Sequence, residues 1–156
     1  MTNWDREFIG YFFGEGCITI QRCLEKKTRP YYRIKLQFSA RQDDDLMLQE
    51  AKKRYGGYIY QYGRRTQKVT GYTANPVTTW VLDDEWKCEK VIKMLLKGVL
   101  PSKKREQLEL TKQFFVIKRR IRDKDNRRVR TYTDNDLREF AEVKEKLHRL
   151  KDFKEK

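Results

Sequence analysis

Histidine, proline and paired cysteines are scarce in this sequence of 156 residues, which contains one histidine, three prolines and three cysteines. The single histidine, His148, nearly excludes a histidine-based catalytic triad, and a zinc site would have to rely on scattered cysteines. Cys17, Cys23 and Cys88 form no CxxC pair, and Cys17 and Cys23 would lie too far apart along one extended strand for a disulfide. We therefore predict reduced thiols.

The sequence also lacks a long hydrophobic run. No charged segment followed by an apolar stretch opens the chain, and no window of about eighteen apolar residues occurs. We therefore expect neither secretion nor membrane insertion, and we predict an intracellular protein without a membrane partner.

Acidic residues are outnumbered by basic ones. The 37 lysines and arginines oppose 23 aspartates and glutamates, which gives a formal net charge of +14. Such a charge attracts polyanions, and nucleic acid is the partner that it favours. A basic membrane-binding protein is the alternative, but the basic residues are interleaved with Tyr, Gln and Thr instead of lying opposite a wide apolar helix face.

Hydrophobic periodicity predicts the order helix, two strands, helix, two strands and then helices. The predicted helices lie within 3–14, 42–57, 84–98, 102–121 and 134–150, and the predicted strands within 17–24, 31–39, 57–65 and 76–83. A repeated α-β-β unit indicates an α+β fold, a four-stranded antiparallel sheet with helices on one face and the other face open. We expect one domain over 1–156, with a basic loop at 119–133 and a closing helix in 134–156.

The open face of the predicted sheet carries polar and basic side chains. Ile34, Leu36 and Phe38 alternate with basic and amide residues, so that the apolar set faces the core. Arg, Lys and Gln at this spacing read base edges in the major groove, although a merely solvated face is the simpler alternative. The predicted DNA contacts are Thr19, Gln21, Arg33, Lys35 and Gln37 from the first hairpin, and Tyr60, Tyr62, Arg64, Arg65 and Thr79 from the second. Predicted phosphate contacts are Lys118, Arg119, Arg120, Arg127, Arg128 and Arg130.

The segment FIGYFFGEG at 8–16 changes from helical to strand periodicity and holds one acid between two glycines. It resembles the signature of the LAGLIDADG homing endonucleases, in which two small residues four apart on a short helix precede an acid and a glycine. The matching positions are Gly10, Gly14, Glu15 and Gly16. The resemblance continues in FSARQDDD at 38–45, YGGYIY at 55–60 and VLPSKKREQLEL at 99–110, and it covers residues 4 to about 115. Phe13 departs from it, because the family often has aspartate there.

The resemblance implies a metal-dependent DNA endonuclease whose sheet presents a saddle-shaped DNA-binding face. Glu15 fills the position of the metal ligand, and Gly14 is the second implied metal-binding position. Gln42 matches the polar residue that orders water in the active site, and Lys103 matches the basic residue near the scissile phosphate. A helix-capping amide and a solvated base are the simpler interpretations of these two residues. The implied cofactor is Mg²⁺, about two or three ions per dimer, with Ca²⁺ or Mn²⁺ as substitutes.

One motif per chain implies half an active site per chain. The resemblance therefore implies a homodimer that cuts a long pseudo-palindromic double-stranded DNA, without a small-molecule substrate and with intron homing as its role. Its compartment would be a chloroplast, a mitochondrion or a bacterial or archaeal cytoplasm. Gly10 and Gly14 let a second helix approach closely, and with Tyr11 they form the expected dimer interface. A strand of about nine residues spans roughly 30 Å, so the dimer is expected to cover on the order of twenty base pairs.

Two other functions remain open from the sequence. A non-cleaving nucleic-acid binder, such as an intron RNA maturase or a DNA-binding regulator, would use the same fold and sheet. A structural basic protein of a ribonucleoprotein would need only the charge, and it would leave the spacing of Gly10, Gly14 and Glu15 unexplained.

Overall fold

The computed structural model describes residues 1–24, 30–66, 68–121 and 132–151. Within these ranges the helices are α1 (Asn3–Glu15), α2 (Leu46–Tyr55), α3 (Glu85–Leu95), α4 (Ser102–Ile121) and α5 (Asp134–Lys151). The strands are β1 (Gly16–Cys23), β2 (Tyr31–Arg41), β3 (Tyr58–Tyr62), β4 (Arg65–Thr66), β5 (Thr73–Ala74) and β6 (Val77–Leu82). No helix in the described part of the chain is both long and apolar enough to cross a membrane.

Four of the strands form one antiparallel sheet in the order β1-β2-β6-β3, which confirms the predicted α+β fold. The remaining pair, β4 and β5, is a separate small hairpin that lies between β3 and β6 in the chain and was not predicted. Its two strands have two residues each, too few for a periodicity of two to be visible in the sequence.

Local chemistry explains where the first two helices begin and end. Thr2 and Asp5 form a reciprocal capping box at the start of α1. Helix α2 begins at Leu46, after Asp45, four residues later than the start of the predicted segment at 42. Gly56 ends α2 with φ +77°, a backbone conformation that favours glycine.

The chain packs as two compact units, and the divisions between them fall after Cys17 in β1, after Ile34 in β2 and after Val99. The first unit consists of 1–17 with 35–99. Its core stacks Phe8 of α1 on Phe38 of β2 with ring centroids 4.8 Å apart, and Trp80 of β6 lies 5.4 Å from Phe38. Helix α3 adds the buried residues Cys88, Val91, Ile92 and Leu95. The single domain over 1–156 stays a prediction.

The second unit consists of 18–34 with 100–156, and its described part is built around the pair α4 and α5. Phe114 of α4 and Phe140 of α5 lie with ring centroids 5.2 Å apart, and Tyr32 of β2 stacks on Phe140 at 5.3 Å. Lys118 corrects one prediction, because only 5% of it is exposed. It is buried among aromatic rings and is therefore not a phosphate contact at the surface.

Candidate nucleic-acid interface and metal-binding carboxylate

Glu15 is the last residue of α1 and is exposed. Gly16 follows it with an extended backbone and begins β1. A Cβ atom at Gly16 would overlap the buried ring of Phe12, so a glycine is needed at this junction. The carboxylate is thus held at the negative end of the helix, an unfavourable place for an anion unless a cation binds there.

An open cleft of about 310 Å³ contains Glu15 together with Asp44 and Arg41, and Val77 lines its side. The Tyr11 hydroxyl also lines this cleft and donates a hydrogen bond of 2.7 Å to the Ser39 carbonyl oxygen. Burial raises the pKa of Tyr11, and the negative charges of Glu15 and Asp44 raise it further. Tyr11 therefore contacts β2 of its own chain through its hydroxyl, and its place in the dimer interface stays a prediction.

The two glycines of the motif lie on an uncovered face of α1. Gly10 and Gly14 are exposed, and a Cβ atom added at either would meet no atom within 4 Å. Phe13 is 52% exposed, a high value for a phenylalanine. Among the residues that the structure describes, none lies close enough to require a small residue at either position.

Arg41 is the last residue of β2, and Gln42 comes directly after it. The Gln42 backbone N–H donates to the Pro76 carbonyl oxygen at 3.1 Å, and the exposed residue lines a second pocket that also holds Arg41 and Arg64. The Arg41 guanidinium forms two hydrogen bonds with the Asp43 carboxylate, of 3.1 and 2.7 Å. Arg41 lines both pockets and was missed because the predicted strand ended at 39. Continuing the alternation of Lys35 and Gln37 by four residues would have found it.

Lys103 lies in the first turn of α4 and is exposed. It belongs to the second compact unit, whereas Glu15 and Gln42 belong to the first. The structure therefore brings Glu15 and Arg41 into one cleft, and Arg41 and Gln42 into the next.

The predicted DNA-facing residues follow the expected alternation on β1 and β2. Ile18, Ile20, Ile34, Leu36 and Phe38 are at most 2% exposed. Thr19, Gln21, Arg33, Lys35 and Gln37, which lie between them, are half-buried. The Nε atom of Arg33 is buried without a hydrogen-bond partner.

Thr79 corrects the prediction on the second hairpin. It is only 4% exposed, and its hydroxyl lies within hydrogen-bond distance of the Ser39 hydroxyl, at 3.0 Å. Side chains of the strands on both sides cover it, so a direct DNA contact is not available to Thr79. Tyr60, Tyr62 and Arg64 are exposed as predicted. The side chain of Arg65, and Arg127, Arg128 and Arg130, lie outside the described residues.

The sequence matches no protein-family model and no curated protein. Among solved structures, the homing endonuclease I-CvuI in complex with the I-CreI target matches with a TM-score of 0.67 and 18% identity, over 97% of this chain and 84% of that chain. I-TnaI, also a homing endonuclease, matches with a TM-score of 0.66 and 16% identity, over 96% of this chain and 97% of that chain. I-SmaMI bound to its uncleaved DNA target in the presence of calcium ions matches with a TM-score of 0.69 and 16% identity, over 96% of this chain but only 45% of that chain.

This chain has the LAGLIDADG homing endonuclease fold.

The residues that a LAGLIDADG fold brings together here can be tested for their fit to a divalent cation. No group of three or more His, Cys, Asp or Glu side chains within the described ranges surrounds a possible metal position. The cleft at the end of α1 instead holds two carboxylates, Glu15 and Asp44. Mg²⁺ is typically bound by one or two carboxylates together with substrate phosphates and water. Glu15 and Asp44 are oxygen ligands of the kind that Mg²⁺ takes, and the described residues add no third acidic, histidine or cysteine ligand to them.

Proposed function

We propose that this protein is a site-specific DNA endonuclease that acts as a homodimer and cuts both strands of a long pseudo-palindromic target. The observation that carries the proposal is the position of Glu15, an exposed carboxylate at the end of a helix whose glycine face is uncovered. Helices without side chains at the contact approach closely. Two copies of α1 packed through Gly10 and Gly14 would place two Glu15 carboxylates side by side.

The single copy of the motif in these 156 residues agrees with this proposal. Because Glu15 is one carboxylate, a second copy of the chain would supply the second, and two-fold symmetry would then match the symmetry of the target.

Each residue of the site has a defined part in the proposed hydrolysis. Glu15, with the Gly14 carbonyl oxygen beside it, would hold Mg²⁺, which supplies charge stabilisation and an activated water when bound. Gln42 orients the attacking water through its amide. Arg41, held by Asp43, would bind a neighbouring phosphate through its remaining guanidinium N–H groups. The role of Lys103 near the phosphate, which the resemblance implies, stays a prediction.

The open sheet face would read the target. Gln21, Lys35 and Gln37 present amide and ammonium groups that pair with base edges in the major groove. Arg64, Arg65, Arg128 and Arg130 would supply phosphate contacts, which add affinity without sequence information.

The experiment is a matched pair of cleavage and binding assays on the wild type and Glu15→Gln. The target would come from the DNA that flanks the gene's insertion point, carried on a supercoiled plasmid with Mg²⁺. We expect Glu15→Gln to lose cleavage by at least about 100-fold, because a metal ligand is removed. Binding should be equal or tighter, since one negative charge facing DNA disappears.

Leu46→Ala serves as the control, because this residue is exposed and does not line the cleft. It should cut at the wild-type rate. Nicking by Glu15→Gln at the wild-type rate would contradict the assignment of Glu15. A wild type that binds the target but leaves both strands intact with Mg²⁺ or Mn²⁺ would support the non-cleaving nucleic-acid binder instead.

A further inference from the structure

Three tyrosines of β3 project from the same face of the sheet in the first compact unit. Tyr58, Tyr60 and Tyr62, here called the tyrosine row, occupy alternate positions of the strand. The intervening Ile59 pairs with Trp80, which in turn pairs with Phe38 in the buried core. The tyrosine row therefore faces away from the helices of this unit.

The pairing register places each tyrosine at the end of a three-residue rung. Because directly paired residues share a face, each rung continues from β3 through β6 to β2. The three rungs are Tyr58–Val81–Gln37, Tyr60–Thr79–Ser39 and Tyr62–Val77–Arg41. The middle position always holds a short β-branched side chain, so tyrosine rings border the face on one side and polar or basic side chains on the other.

The tyrosine row exposes far more aromatic surface than the core of this sheet requires. Tyr58, Tyr60 and Tyr62 are 57%, 48% and 41% exposed, whereas Val81 and Thr79 beside them are 7% and 4% exposed. The high strand propensity of tyrosine explains one such residue on an edge strand. Three in succession with half their surface in solvent form a contiguous aromatic surface, which is typical of a binding site.

An intact duplex offers no free base face on which an aromatic side chain could stack. In a duplex the faces of the bases are covered by their stacked neighbours, and proteins contact edges, sugars and phosphates. Unpaired bases expose both faces, and proteins that bind single strands stack them on aromatic side chains of a sheet. Alternate residues of a strand lie about 6.6 Å apart, twice the roughly 3.4 Å rise of stacked bases, so the spacing suits a stretched strand.

Charge on the same unit favours a nucleic-acid strand over a neutral aromatic ligand. Lys35 precedes the rung residues of β2 on the same face, and Arg64 lies two residues after Tyr62 and is exposed. Arg41 ends the third rung, and the chain as a whole carries a net charge of +14. A phosphate backbone along the basic side would leave its bases over the tyrosine side.

We propose that the tyrosine row is a stacking site for unpaired nucleotides, a binding activity separate from duplex cleavage. The ligand is a single strand of DNA or RNA of about three nucleotides or more, held by ring-on-base stacking and by the neighbouring basic residues. This site requires neither metal nor a second copy of the chain.

The test compares ring chemistry at fixed positions in full-length protein. Fluorescence anisotropy would measure binding of labelled dT12 and U12 oligonucleotides by the wild type, by Tyr→Phe at all three positions and by Tyr→Leu at all three. Phenylalanine keeps the ring face and loses the hydroxyl, and leucine loses the ring. We expect the triple Phe variant to bind within about threefold of the wild type and the triple Leu variant at least about 100-fold more weakly, because stacking on each base is worth a factor of roughly 5 or more.

Tyr72→Leu is the matched control, since Tyr72 is 65% exposed but lies outside the sheet face. It should bind as the wild type does. Circular dichroism would confirm that each variant is folded, and single Leu substitutions would replace a triple variant that is not. The proposal would be overturned if the Phe and Leu variants lost oligonucleotide affinity equally. It would also be overturned if the Leu variants bound the oligonucleotides as tightly as Tyr72→Leu does.

Two further measurements distinguish RNA from DNA as the ligand and separate the stacking site from the proposed cleavage site. Tighter binding of U12 than of dT12 would identify RNA as the ligand through its 2′-hydroxyl, and the reverse order would identify DNA. Glu15→Gln should bind both oligonucleotides as the wild type does, because it keeps the tyrosine row. The stacking proposal therefore stands or falls separately from the proposed cleavage.

Discussion

Cys88 shows how burial changes the chemistry of a single residue. It is fully buried in α3 and donates a hydrogen bond of 3.1 Å to the Leu82 carbonyl oxygen. Burial raises the pKa of this thiol to about 12, and the nearby charges of Asp84 and Asp83 raise it as well. The thiolate is the reactive form of cysteine, so Cys88 is inert in the folded protein at neutral pH.

The raised pKa predicts an alkaline loss of stability through Cys88. The unfolded state releases this proton above about pH 9, whereas the folded state keeps it until about pH 12, so the free energy of unfolding falls between these values. We expect the contribution of Cys88 to the free energy of unfolding to fall by about 2 kcal/mol from pH 8 to pH 10.5. Urea unfolding should show that Cys88→Ala destabilises the protein by about 2 kcal/mol less at pH 10.5 than at pH 8.

Val91→Ala is the control for this prediction, since Val91 is equally buried on the same helix and does not titrate. The loss of unfolding free energy caused by Val91→Ala should be the same at pH 8 and at pH 10.5. A cost of Cys88→Ala that does not change with pH would mean that the thiol titrates alike in both states.

At the scale of elements, α4 and α5 are joined by an unusual buried cation. The Lys118 ammonium donates to the Tyr132 hydroxyl at 2.9 Å and lies 5.4 to 5.6 Å from the ring centroids of Phe114, Tyr132 and Phe140. Rings stabilise a cation over their faces, and this offsets part of the cost of removing the charge from water. At the surface, Arg120 pairs with Glu139, which raises the pKa of Arg120 and lowers that of Glu139.

The buried cation predicts opposite outcomes for two substitutions. Tyr132→Phe removes a hydrogen-bond acceptor from a buried charge, and we expect it to cost about 1.5 to 3 kcal/mol of unfolding free energy. Lys118→Met keeps the length of the side chain and removes the charge, so it should be neutral or slightly stabilising. Urea unfolding at neutral pH measures both, and a Lys118→Met variant that loses more than Tyr132→Phe would contradict this account.

At the scale of the whole molecule, the uncovered face of α1 is the feature on which the proposed dimer rests. A glycine inside a helix costs about 0.5 to 1 kcal/mol relative to alanine, and no contact among the described residues of one chain offsets this cost at Gly10 or Gly14. A second helix backbone packed against these glycines would offset it. The net charge of +14 opposes association of free chains, and DNA between them reduces that repulsion.

Gly10→Leu tests the dimer without disturbing the single chain. The new side chain has open space in one chain and would separate the two helices of a dimer, so we expect dimer affinity to fall by about 5-fold to 150-fold. The melting temperature of dilute monomer should not fall. Sedimentation at micromolar protein, with and without target DNA, measures the association.

Ala141→Leu, at an exposed helical position of α5, is the control and should leave association unchanged. A wild-type chain that stays monomeric under both conditions and yet cuts both strands would show that one Glu15 is sufficient.

The sequence by itself determined the features that depend on neighbours along the chain. Alternation placed Leu36 and Phe38 in the core, hydrophobic periodicity located α2 and α3 to within a few residues, and the short motif placed Glu15 at a helix end. These features follow from strand and helix periods, which are local properties.

Only the tertiary structure decided which outward-facing side chains remain accessible. Thr79 is covered because Ser39, forty residues away, and the tyrosine row flank it across the sheet. Tyr11 binds β2, Arg41 joins Glu15 in one cleft, and Lys118 is enclosed by rings from two helices. Periodicity gives the direction of a side chain, but its burial depends on partners that are brought together only when distant strands and helices pack.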